Sequence, residues 1–231
     1  MLRVVYTVLG LFIVMAPFAN DLYVVLAEPL LATMPEGTSM IATEVASPFL
    51  TPFKFALVLA VFLTMPVILY HFWAFVAPGL YRHERRMIVP LLVGSSVLFY
   101  SGVLFAYYVV FPLIFGFLVS VAPEGVAVMT DISRYLDFVL KLFFAFGVAF
   151  EVPIVTIVLV WAGAATPDEL AAKRPYVIVA AFVMGMLFTP PDMISQTLLA
   201  VPVWLLFEVG LLVSRFVVKP EAEADDAKPG S

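Results

Sequence analysis

Six apolar runs, at about residues 2–19, 51–77, 87–119, 135–163, 175–188 and 193–213, decide what this chain can fold into. A helix needs about 20 apolar residues to cross the ~30 Å hydrocarbon core of a bilayer. The 231 residues are 64% hydrophobic and 13% charged, against roughly 45–50% apolar and about 25% charged in an ordinary soluble domain. Much of any small domain stays wet, so a soluble globule could not hide this much apolar surface. A soluble enzyme, a disordered chain and a nucleic-acid binder are disfavoured together. The reading is an all-α integral membrane protein with six transmembrane helices. No small-residue cleavage site is evident after the first run, so it is read as a retained span.

Lysine and arginine in short loops give the orientation, because they concentrate on the cytoplasmic side. Arg3, Arg82, Arg85, Arg86, Lys173, Arg174, Arg215 and Lys219 fall on one side, and Lys54, Arg134 and Lys141 on the other. Both termini are therefore expected in the cytoplasm, with the acidic 20–48 loop outside. Residues 1–219 form the membrane domain. Residues 220–231 carry Glu221, Glu223, Asp225 and Asp226 against Lys228 and read as a disordered acidic tail.

Run lengths are uneven. The third, about 33 residues, exceeds the ~20 a bilayer requires and is expected to tilt or project. The fifth starts at Pro175 and stops at Thr189-Pro190-Pro191. It spans about 21 Å at ~1.5 Å per residue, so the bilayer beside it is expected to thin. Pro66, Pro112, Pro153 and Pro202 stand inside runs. Each removes a helix hydrogen bond and clashes with the carbonyl one turn back. Bent helices and a curved wall are expected, although proline is also tolerated in transmembrane helices as a packing adjustment.

Ionisable groups deep in a bilayer are costly and mark function by default. Glu151 lies near the middle of the fourth run. Lys141, the nearest basic residue in its helix, is about 15 Å away along the axis. Lys141 is expected to pair with Asp137 one turn before it. Glu151 is then either neutral or bonded to a polar group of another chain. A bond to a carbonyl freed by Pro153 is the structural alternative. Glu208 is expected to snorkel and pair with Arg215. Met186, Thr189 and Gln196 form a small polar patch for another helix, or a solvated loop junction. The loop Tyr81-Arg82-His83-Glu84-Arg85-Arg86 anchors topology through its arginines. Its Glu84 either pairs internally or receives a cation. Trp73, Phe75 and Tyr81 fit an interfacial aromatic belt.

Chemistry-bearing motifs are absent. The sequence has no cysteine, hence no disulfide or thiolate site. It has no His-Glu-x-x-His, Gly-x-Ser-x-Gly or P-loop. Gly94-Ser95-Ser96 reads as close-packing small residues, and His71 as a packing or hydrogen-bonding side chain. Neither a metal nor a cofactor is expected, and the chain is not read as an enzyme.

Five stretches occur in order: Ile41-Ala42-Thr43-Glu44-Val45-Ala46-Ser47-Pro48-Phe49, Tyr81-Arg82-His83-Glu84-Arg85-Arg86, Phe146-Gly147-Val148-Ala149-Phe150-Glu151-Val152-Pro153, Lys173-Arg174-Pro175-Tyr176 and Phe188-Thr189-Pro190-Pro191-Asp192. Together, over about residues 1–219, they closely resemble the TatC family, the multispanning core of the twin-arginine protein translocase. The resemblance implies six helices in a concave, glove-like wall, with bent helices and two short C-terminal helices. It also implies a bacterial inner-membrane location, partners of the TatA and TatB kinds, and self-association within the complex. Folded cargo bearing twin-arginine signal peptides would be exported by the proton-motive force.

Residue by residue, the resemblance implies that Glu84 helps receive the twin-arginine motif. A carboxylate accepting an arginine fork suits that ligand. Phe75 and Arg85 join the signal-binding set, although Arg82, Arg85 and Arg86 would repel the ligand unless they point away or pair elsewhere. Glu151 corresponds to the family's mid-membrane acid, proposed to meet polar groups of TatA or TatB helices. Met186, Thr189 and Gln196 match a docking surface for those helices. Glu44, Pro48 and Phe49 lie in the outer cap near the signal hairpin. One departure is the family's N-terminal segment His-Leu-x-Glu-Leu-Arg, whose Glu is a second acidic contact and which this chain lacks. A misplaced start, a truncation and a defective protein would each account for it, and the first is the expectation. An ion-coupled transporter using Glu151 is the alternative function, and an intramembrane hydrolase a third. Both are disfavoured, by the lack of internal repeats and of a nucleophile–base pair respectively.

Overall fold

Prolines and polar breaks cut the apolar runs into helices: α1 (Leu2–Met15), α2 (Ala19–Leu31), α3 (Ser47–Leu63), α4 (Met65–Leu80), α5 (Ile88–Phe105), α6 (Phe111–Ser120), α7 (Ile132–Ala149), α8 (Val152–Trp161), α9 (Pro167–Ala172), α10 (Arg174–Phe188) and α11 (Met193–Val217). The structure, a computed structural model, describes residues 2–32, 40–80, 88–121, 129–188 and 192–217. Among these there is no strand, only an isolated parallel bridge between Ile41 and Asp131. The all-α expectation holds.

The bends fall where proline lacks its N–H and crowds the preceding turn. A 3₁₀ turn at Ala16–Phe18, around Pro17, joins α1 to α2. At Thr64, two residues before Pro66, α3 and α4 part by 44°. A π-helical turn at Ala106–Val110 precedes Pro112 and joins α5 to α6. Phe150 and Glu151 separate α7 from α8, with Pro153 in the first turn of α8. Pro202 stands inside an unbroken α11.

Among the described residues, four stretches are long and apolar enough to cross a membrane: Leu2–Leu31, Val89–Phe117, Ile132–Trp161 and Met193–Phe216. The bent pair Ser47–Leu63 and Met65–Phe75 makes a fifth if it is one span. Helix α10, at 15 residues, is about 22 Å long. One expectation needs correction. Only the first of the two C-terminal helices is short, because α11 runs for 25 residues. Its Pro202 does not end it.

Packing between spans cannot rely on water to drive apolar faces together, so close approach of small residues and dispersion between rings hold them. Helices α5 and α7 show this reciprocally. A Cβ on Gly147 would lie 2.5 Å from the Phe99 ring, and one on Gly102 would strike the Phe146 carbonyl oxygen. Phe111 stacks on Phe143 at 5.2 Å, and Phe62 meets both Phe99 and Phe143 edge-on. On the C-terminal side, α8 and α11 touch where a Cβ on Gly210 would be 2.7 Å from Pro153 Cα. Gly185 of α10 faces Gln196 of α11 in the same manner, at 3.3 Å.

Tertiary partners displace the local charge pairs expected from helix spacing. Asp137 pairs with Lys54 of α3 rather than with Lys141. Glu208 accepts both Nε and Nη2 of Arg174, at 2.5 and 2.8 Å, rather than pairing with Arg215. Arg215 reaches Asp168 at 3.3 Å. A two-point guanidinium fork from the facing helix offers geometry that a neighbour along the same helix cannot. Trp73 is likewise no belt residue. It is 4% exposed and donates its indole N–H to Ser95 Oγ at 2.9 Å.

Candidate functional site

The most unusual polar group lies at the joint between α7 and α8. The regular α-helix is interrupted at Phe150 and Glu151, where Pro153 cannot continue the ladder, inside a long apolar stretch. Both carboxylate oxygens are buried, and no donor among the described residues reaches either in hydrogen-bond geometry. The Ser95 hydroxyl lies close to the carboxyl; its oxygen accepts the Trp73 indole N–H, which leaves its own O–H proton free to turn toward Glu151. Gly94 leaves room for Ile154, since a Cβ there would lie 3.2 Å from Ile154 Cδ1. The small residues at 94–95 therefore do two things: Gly94 permits close packing, as its size predicts, and Ser95 binds an indole. A buried polar group without a partner costs free energy, so a donor from outside the chain would be favourable here.

Gln196 lies at the contact between α10 and α11, against the residue next to Met186. Met186 is 60% exposed. Gln196 is half-buried, and its backbone lies against Gly185, the residue before Met186. Thr189 lies outside the described residues, as do Glu84 and Arg85. Phe75, on α4, is 85% exposed. At the start of α11, Asp192 caps the helix by accepting the Ser195 N–H at 2.6 Å. Its other oxygen is buried without a partner among the described residues.

The third group gathers at the end where α2, α3 and α7 meet. Asp131 is the N-cap of α7, one carboxylate oxygen accepting the N–H groups of Ser133 and Arg134 at 2.9 and 3.0 Å. The other accepts the Thr43 hydroxyl at 2.7 Å and the Thr43 N–H at 2.9 Å. These donors, the Thr43 hydroxyl foremost, hold the Asp131 carboxyl down at about 2. Glu44 is exposed next to this clasp and lines a cavity of about 430 Å³ with Lys54, Phe12 and Ser133. Pro48 and Phe49 are exposed and line a separate cavity of about 470 Å³ with Pro17, Asn20 and Phe53. The structure thus brings Glu44, Pro48 and Phe49 to one end, and keeps Glu151, Met186 and Gln196 apart from it.

Asp131 escaped the sequence reading. Its signal was available: an Asp directly before an apolar helical run is a helix-start signature. Thr166 and Glu169, which form a capping box ahead of α10, carry the same kind of signal.

Comparison with known proteins agrees with the motif order. The family model described as Sec-independent protein translocase protein (TatC) matches residues 1–202. Sec-independent protein translocase protein TatC of Escherichia coli strain K12 is 56% identical over 218 residues, covering 94% of this chain and 84% of that protein. Its counterpart in Azotobacter chroococcum mcd 1 is 57% identical over 227 residues, covering 98% and 89%. A crystal structure of a twin arginine translocase receptor, TatC, superposes with a TM-score of 0.81 at 38% identity, covering 94% of this chain and 96% of the other.

Proposed function

Since the chain belongs to the TatC family of Sec-independent protein translocase proteins, a transport component rather than an enzyme, we propose that it is the receptor and scaffold of twin-arginine export in a bacterial inner membrane. Six crossings, with α10 as the short fifth, would form a concave wall with both termini in the cytoplasm. Glu84, beside Phe75 and Arg85, receives the arginine pair of a signal peptide. Glu151 takes a polar group from a TatA or TatB helix, and Met186, Thr189 and Gln196 provide a docking surface for such helices. Glu44, Pro48 and Phe49 cap the outer end near the signal hairpin. Copies of the chain associate within the complex, and the proton-motive force drives transport. The single observation that carries this reading is Glu151: a buried carboxyl, at a proline break, that forms no hydrogen bond among the described residues and has the Ser95 hydroxyl beside it. An ion-coupled transporter is set aside now that the family is shown.

The test uses membranes holding the full chain with its partner subunits and a photo-crosslinking twin-arginine peptide. Capture is expected at the 84 region. It is lost when the peptide's Arg-Arg becomes Lys-Lys and when Glu84 becomes Ala. Undiminished capture by Glu84→Ala overturns the assignment of Glu84.

A further inference from the structure

Two of the helical prolines share a device. In an α-helix the N–H of a residue at position 29 would go to the Val25 carbonyl, and that of a residue at position 66 to the Phe62 carbonyl; Pro29 and Pro66 have none to give. The Val25 oxygen instead accepts the Tyr107 hydroxyl at 2.7 Å, and the Phe62 oxygen accepts the Tyr100 hydroxyl at 3.1 Å. The two prolines lie in different helices, α2 and the start of α4. Both tyrosines come from the single continuous segment that begins with α5, seven positions apart. Tyr107 lies in the π-helical turn Ala106–Val110, an insertion that re-aims the side chains beyond it. A third hydroxyl, from Tyr135, goes to the Leu26 carbonyl at 2.8 Å, beside the first. The Phe62 bond is partly buried and the Val25 bond exposed; at each, a hydroxyl on the opened carbonyl replaces the missing backbone bond and favours the observed helix path over a straightened or frayed one.

We propose that Tyr100 and Tyr107 are positioning residues for export. Each hydroxyl closes a carbonyl that a proline has opened in a neighbouring helix, fixing the bend between α3 and α4 and the seat of α2 against the π turn. The proposal rests on the export reading given above. It makes the segment that begins with α5 the template for one bend and for the seat of a second helix.

The test pairs each tyrosine with each proline in the full chain, expressed with its partner subunits. Tyr107→Phe is expected to speed amide exchange over residues 26–32 about tenfold in the purified protein, and to lower export of a twin-arginine reporter. In a Pro29→Ala background it should add nothing to either, because the substituted alanine supplies the missing N–H. In a Pro66→Ala background it should keep its full effect. Tyr100→Phe should show the mirror pattern, silent with Pro66→Ala and active with Pro29→Ala, its exchange read over residues 60–68. Equal effects in both backgrounds, or no effect of either Phe variant on exchange, overturn the proposal. Pairwise coupling in exchange with unaltered export overturns the positioning role while leaving the receptor reading intact. Failure of the parent protein to capture a twin-arginine peptide would instead remove the receptor reading on which the proposal rests.

Discussion

The two broken helices, α3–α4 and α7–α8, are built from one device and end in opposite states. Each breaks two residues before a proline, at Thr64 and at Glu151. At the first joint the freed groups are answered. The Thr64 hydroxyl donates to the Ala60 carbonyl at 2.7 Å, and Tyr100 takes the Phe62 carbonyl. At the second, two carboxylate oxygens are buried and form no hydrogen bond among the described residues. The chain therefore completes one joint itself and leaves the other incomplete. Natural sequences satisfy buried polar groups almost everywhere, which is why the second joint carries the proposal that a partner helix binds there.

The largest effect expected from this contrast is at Glu151. Glu151→Ala should reduce export of a twin-arginine reporter about tenfold or more, the range for losing a hydrogen bond to a charged or strongly polar group. Glu151→Gln should retain most of it. Equal export from the two variants would make the second joint a packing feature like the first. Next is the clasp that starts the second broken helix. The Asp131 carboxyl ionises at about 2 when folded, below the ~3.9 of an unfolded Asp. A depressed carboxyl adds stability that is fully present above the unfolded value and lost as pH falls through the folded one. Thermal midpoints of the parent should therefore drop between about pH 4 and pH 2 relative to those of Asp131→Asn, with the difference constant above about pH 5. A difference that keeps growing toward neutral pH would break the assignment. The smallest effect concerns the ion pair linking the two broken helices. Lys54 and Asp137 are each about half exposed, so Lys54→Ala should cost no more than about 0.5 kcal/mol. Lys141→Ala should cost less still. The reverse order would restore the pairing of Lys141 with Asp137.

Much of the fold was legible because it rests on local rules. Apolar run length gives four spans among the described residues and a fifth if α3–α4 is one, Pro66 marks a bend that does occur, and Pro112 and Pro153 mark interruptions of regular α-helix. Pro202 shows the limit of that rule, since α11 continues through it on contacts that no local pattern records. Charge pairing was legible only in kind. Spacing along one helix pointed Asp137 to Lys141 and Glu208 to Arg215, but Lys54 and Arg174 come from other helices and win on geometry. Of the candidate site, Glu151 could be read from its depth alone. Its surroundings could not, because Ser95, the hydroxyl beside it, comes from a different helix. Glu84, Arg85 and Thr189 rest on the family motif and lie outside the described residues.

The Thr43–Asp131 clasp joins positions 88 residues apart, and α3 through α6 lie between them. Synthesis runs from the N-terminus, so Thr43 is made long before Asp131. The helices up to α6 must enter the membrane with that end unfastened. The entropy of closing a loop grows only slowly with its length, so the long wait adds little to the free energy of fastening it. The order of events is what it constrains. The clasp can close only when α7 arrives, and a chain halted before residue 131 would hold its early helices without that contact.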